Sequence, residues 1–117
     1  MRLALLPFAL LALPAVGQAP VKDAKALRAF FVENCTKCHG ADGSALGPDG
    51  KRLKGQDLTD QKEMAAKKDD KLAKTILKGI FFGKAMPAFK DKLSEAEALA
   101  MVTEVVRKAE KGKAIQP

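Results

Sequence analysis

The chain has 117 residues and a formal charge of +7, from 21 Lys and Arg against 14 Asp and Glu, with two cysteines, one histidine and no tryptophan or tyrosine. A closed structural zinc site needs four ligands, and three cysteine and histidine side chains cannot supply them. The lysines are dispersed and accompany no recognition motif, which argues against nucleic-acid binding.

Residues 1–19 read as a secretory signal: Arg2, an apolar run from Leu3 to Leu13, then Pro14 to Ala19 with small residues at the cleavage region. The run is too short to span a bilayer, so no stable membrane insertion is expected once the signal is removed. Loss of Arg2 lowers the net charge by one. This predicts an exported domain over 20–111, located in the periplasm or another extracytoplasmic space, followed by a loose tail at 112–117.

Asp23 is placed to cap a first helix whose apolar positions Leu27, Phe30, Phe31 and Cys35 recur at helical spacing. The helix leads into Cys35-Thr36-Lys37-Cys38-His39, which contains every cysteine and histidine of the chain. Cys-x-x-Cys-His is the pattern at which a c-type haem is attached: two thiols form thioethers and the imidazole reaches the iron. A structural disulfide would leave His39 without a role. A redox dithiol would call for a βαβ context that the flanking helix and loop do not provide.

From Gly40 to Gly55 the chain is dense in glycine, with Pro48 inside it, and reads as an irregular loop. A short helix is expected within Leu58 to Lys68. Asp69 or Asp70 would cap the next helix, with Leu72, Ile76 and Leu77 facing inward and Gly79 ending it. An apolar loop, Ile80 to Phe89, follows. Ser94 and Glu97 then form a capping box for a last helix with Ala98, Met101, Val102 and Val105 inside, flanked by Leu99 and Val106. Arg107, Lys108 and Lys111 suit the dipole at its C-terminal end. No repeat and no strand pair is apparent, so the fold class is all-α, with three to five helices around one covalently held haem.

With no second histidine, a thioether is the natural second axial ligand. Met101 lies on a core stripe, and Met64, among Gln61, Lys62, Lys67 and Lys68, is expected to be partly exposed. Met86 sits in the apolar loop, and Pro87 after it disfavours helix there and holds the backbone extended. Met86 is therefore the candidate partner of His39 on the metal.

These residues together resemble the class I monohaem cytochromes c over essentially the whole exported chain. The matching segments are Leu27 to His39, Gly47-Pro48, Leu72 to Gly79, Met86-Pro87 and Ser94 to Lys108. The resemblance implies one haem c per chain, bound through Cys35 and Cys38, with His39 and Met86 as axial ligands. It further implies that the Pro48 carbonyl accepts a hydrogen bond from the other nitrogen of His39, and that Phe30 lies at the crossing of the first and last helices. That family often has an aromatic residue in the last helix at this crossing, where Val105 stands here.

With both axial positions filled, the chemistry left is one-electron transfer, an electron carrier rather than an enzyme. Leu53, Leu58, Ile80, Phe81, Phe82 and Phe89 are candidates to keep water from the haem. Lys37, Lys51, Lys54, Lys84, Lys90 and Lys92 would ring its edge and steer an acidic redox partner toward a monomer. Two alternatives are a haem subunit of a dehydrogenase or oxidase complex, and a peroxidase-like enzyme in which Met86 is displaced.

Overall fold

The computed structural model describes residues 21–117. Its helices are α1 (Ala24–Asn34), α2 (Thr36–His39), α3 (Gln61–Ala65), α4 (Asp69–Lys78) and α5 (Glu95–Met101), the last running on into a wide π turn, Val102–Val106. Among the described residues strand pairing is confined to two isolated bridges, Leu46 with Arg52 and Ile80 with Met86. The described residues are all-α, with five helices.

Local signals set most helix ends. The Asp23 carboxylate accepts from the Ala26 N–H at 2.8 Å and starts α1. The capping box is complete at α5, with the Ser94 hydroxyl taking the Glu97 N–H and Glu97 returning to the Ser94 N–H. α4 begins otherwise than expected: its cap is Lys68, which makes no side-chain cap bond, and Asp69 and Asp70 lie in the first turn. Asp69 is drawn away by Arg107, which binds its carboxylate and the carbonyls of Met64 and Lys67. Arg107 thus joins α5 to the end of α3 instead of only serving the helix dipole. The π turn, closed by the bond from the Arg107 N–H to the Val102 carbonyl, sets the phase that delivers this side chain.

α1 packs across α5 and its π turn, and α4 packs along α5. Leu27, Phe31, Met101, Val105 and Val106 form the centre, with Phe30 edge-on to Phe89 at 5.6 Å between ring centres. Val105, at the crossing, is buried against this cluster. Met64 is buried there too, 3 % exposed, because the single turn of α3 points inward beneath Arg107. The partly exposed position expected for it is corrected. In the 112–117 segment the Ile115 N–H bonds the Ala41 carbonyl, and the Gln116 carbonyl accepts from Arg28 Nε, both at 2.8 Å.

Glu97 fastens the start of the described chain to α5. Its carboxylate takes the N–H groups of Ser94 and Lys22, at 2.9 and 2.8 Å, with the Lys22 ammonium at 3.5 Å. These bonds, the Ser94 N–H foremost, lower its pKa to about 2. An unfolded glutamate titrates near ~4.3. The folded pKa is the lower of the two, so the stabilisation is complete above about pH 5 and is lost as pH falls through 4 toward 2. Glu97→Gln should cost about 1–2 kcal/mol at pH 7, the size of a lost cap. Urea unfolding at several pH values should show its stability flatter than wild type across that window.

Candidate haem-attachment site

α1 does not run smoothly into the motif. Asn34 Nδ2 bonds back to the Phe30 carbonyl and Thr36 Oγ1 to the Val32 carbonyl, side-chain bonds that bend helices. Cys35, between α1 and α2, absorbs the bend at φ −117° and ψ −28°. The His39 N–H returns to the Cys35 carbonyl at 2.9 Å, so 35 to 39 form one helical turn. Residues at i, i+3 and i+4 share a helix face. Cys35, Cys38 and His39 are therefore presented together, while Thr36 and Lys37 take other directions.

Both cysteines are free thiols. Burial pushes the Cys35 thiol up to about 12, with Cys38 beside it adding to the rise.

The His39 ring is fixed from one side. Its Nδ1 lies 2.9 Å from the carbonyl oxygen of Gln56. A carbonyl can only accept, so Nδ1 carries the proton and the Nε2 lone pair is left for a metal. The acceptor is thus Gln56 and not Pro48. The reason is Gly55: its N–H bonds the Cys38 carbonyl at 2.8 Å, and a Cβ there would run into that carbonyl and lie 2.8 Å from His39 Nδ1. Only glycine lets the loop seat so closely. Pro48 stays exposed in the small hairpin bridged by Leu46 and Arg52. Neither Gly55 nor Gln56 was singled out from sequence, and the only cue was one more glycine at the end of a glycine-rich run.

Met86 is held by its backbone. Its carbonyl accepts from the Ile80 N–H at 3.0 Å, closing a tight loop in which Phe81 and Phe82 both have φ +54°. Gly79, at φ +72°, ends α4 and brings the chain against this carbonyl, leaving no room for a Cβ. Among the three described methionines, Met64 and Met101 are buried, whereas Met86 is half-buried at the edge of the core cluster. Cys35 packs at the edge of that same cluster.

The expected water-excluding residues divide. Phe89 is buried and Leu53 and Leu58 are half-buried, but Ile80 is 44 %, Phe81 75 % and Phe82 103 % exposed. Their left-handed backbone turns the two rings outward from the loop tip. A groove of about 770 Å³ runs beside the motif, lined by Thr36, Lys37, Leu46, Pro48, Leu53 and Ala114 among others. It includes neither His39 nor Met86. Two thiols on one face, an imidazole with its coordinating nitrogen free, and a thioether at the edge of the same apolar cluster fit a covalently held haem.

Fold and site together define a c-type cytochrome domain. The chain belongs to the family described as cytochrome C oxidase, cbb3-type, subunit III, which matches residues 22–103. Covalent haem c and electron transfer go with that family, and Cys35 and Cys38 are consistent with the attachment. Among solved structures the chain is similar to the KustC0563 c-type cytochrome, at 27 % identity and a TM-score of 0.55, covering 72 % of this chain and 96 % of that one. A single-residue mutant of the same protein aligns at 28 % identity and a TM-score of 0.54, over 72 % and 98 %. Among curated proteins no relative matches. No helix among the described residues is long and apolar enough to cross a membrane.

Proposed function

We propose that this chain is an exported monohaem carrier of single electrons, with one haem c held through Cys35 and Cys38 and ligated by His39 and Met86. Haem c, when bound, supplies the one-electron ferric/ferrous couple. The observation that carries the reading is the His39 ring. The Gln56 carbonyl fixes its tautomer and leaves Nε2 unprotonated, and one helical turn carries the imidazole together with both thiols. Met86 completes the donor set and favours the ferrous state, which raises the potential relative to a second imidazole. With both axial positions taken, the site relays electrons rather than binding a substrate.

Lys37, Lys51, Lys54, Lys84, Lys90 and Lys92 are all exposed, and none is in an ion pair among the described residues. They are free to steer an acidic partner at rates that fall as salt rises. The family description favours a second reading, a haem subunit working inside an oxidase. Purification separates the two: the carrier leaves the periplasm as a single monomeric species, the subunit with its complex. Potentiometric titration of the isolated protein should follow a one-electron Nernst curve without peroxide turnover or carbon monoxide binding. Turnover or ready gas binding would mean that Met86 yields its place and that the site is an enzyme's.

A further inference from the structure

We propose that the segment Gly112 to Gln116 is a strap that holds the loop following His39 and thereby sets the orientation of the His39 ring. The consequence for the metal rests on the His39 ligation proposed above; the effect on the ring itself does not. The loop begins at Gly40, directly after the motif, and three bonds tie it or its neighbours to the strap. The Gly112 N–H donates to Asp42 Oδ2 at 2.8 Å, and the Ile115 N–H to the Ala41 carbonyl at 2.8 Å. At the far end Arg28 Nε, from α1, donates to the Gln116 carbonyl at 2.8 Å. The strap is thus anchored to the helix that delivers the motif and to the loop that leaves it.

Asp42 is the junction. Its Oδ1 accepts from the Ser44 N–H at 2.9 Å and the Ser44 hydroxyl at 2.6 Å, closing a turn over the buried Ser44, 1 % exposed. Its Oδ2 faces the strap. Burial is the largest influence on this carboxyl and raises it, yet the bonds from Ser44 and Gly112 together take it below the usual carboxylate range. Behind the turn, Ala45 is wholly buried and its N–H donates to the His39 carbonyl at 2.7 Å. Strap, turn and motif form one chain of bonds: Gly112 to Asp42, Asp42 to Ser44, Ala45 to His39. Ile115 packs against the core at the same place, so the strap is not held by polar contacts alone.

Ring position can therefore be altered through the strap and its anchors without touching a thiol, the imidazole or Met86. Asp42→Asn keeps an oxygen for Ser44 but sets an amide N–H₂ against the Gly112 donor, and Arg28→Ala frees the other end of the strap. Both variants, with Asp91→Asn on the surface as a control, are compared with wild type in the full chain, haem-loaded and haem-free. Amide exchange reports the loop, and NMR exchange of the His39 Nδ1 proton reports the ring in the reduced, diamagnetic protein and in the haem-free chain. Asp42→Asn should speed exchange of the Ala45 N–H and of the Nδ1 proton by about tenfold, the scale of one lost bond to a charged group. Arg28→Ala should act in the same direction and keeps the test open if Asp42→Asn does not fold. Faster Ala45 exchange with an unmoved Nδ1 proton would reduce the strap to a merely structural tie and overturn the proposal, as would no change in either. A wild type that carries no haem but responds in this way would instead overturn the electron-carrier reading and leave the strap standing.

Discussion

Met86→Ala is expected to abolish the thioether-to-iron charge-transfer band and to lower the reduction potential by a sizeable part of the ~0.8 V that axial ligands span. The two other described methionines provide the contrast. Met64 and Met101, 3 % and 2 % exposed, are core residues, so Met64→Ala and Met101→Ala should each cost about 2–5 kcal/mol of stability and keep the band. Met86 is half-buried at the core edge, and its removal should cost less stability while changing the spectrum most. Met86→His, which restores a strong ligand of a different kind, should keep a six-coordinate spectrum and still lower the potential. Spectra and voltammetry of these four variants decide the matter: a band that survives Met86→Ala, or a potential that rises in Met86→His, removes Met86 from the metal.

The second large effect is expected at Gly55, a residue with no chemistry of its own. An alanine Cβ there collides with the Cys38 carbonyl and crowds His39 Nδ1 at 2.8 Å. The strain should cost about 1–3 kcal/mol, the range for overpacking, and it falls on the loop that brings Gln56 to the ring. Losing the Gln56 acceptor makes the imidazole a weaker donor to ferric iron, so the potential should rise. Gly50→Ala is the control. Gly50 has positive φ but open space around it, so its alanine variant should show strain of about 1–2 kcal/mol and no change in potential. Equal potentials for Gly55→Ala and wild type would mean that the loop does not tune His39.

What could be read from sequence was what local chemistry decides. Asp23 and the Ser94 and Glu97 pair announce their helix ends because capping acts within one turn. The motif's three donors share a face because a helical turn places i, i+3 and i+4 together, whatever the rest of the chain does. What was missed depends on distant segments meeting. Lys68 caps α4 because Arg107, some forty residues on, claims Asp69. Met64 looked wet among its charged neighbours, yet a single helical turn tied down by Arg107 is enough to set it into the core cluster. Gln56 reaches His39 through its backbone, so its side-chain identity carried no signal; the signal belonged to Gly55, one glycine among nine. Likewise the strap works through main-chain bonds in a segment whose composition reads as a loose end. The signal-peptide reading of 1–19 lies outside the described residues.

The most direct test of the central claim is whether haem stays with the denatured chain. The protein is unfolded and extracted with acidified organic solvent, and the pyridine spectrum of each fraction is taken. Two thioethers at Cys35 and Cys38 predict that all of the haem remains with the polypeptide, and that it leaves with the solvent when both cysteines are replaced by serine. Wild-type protein that comes out colourless, or gives up its haem to the solvent, would contradict the account.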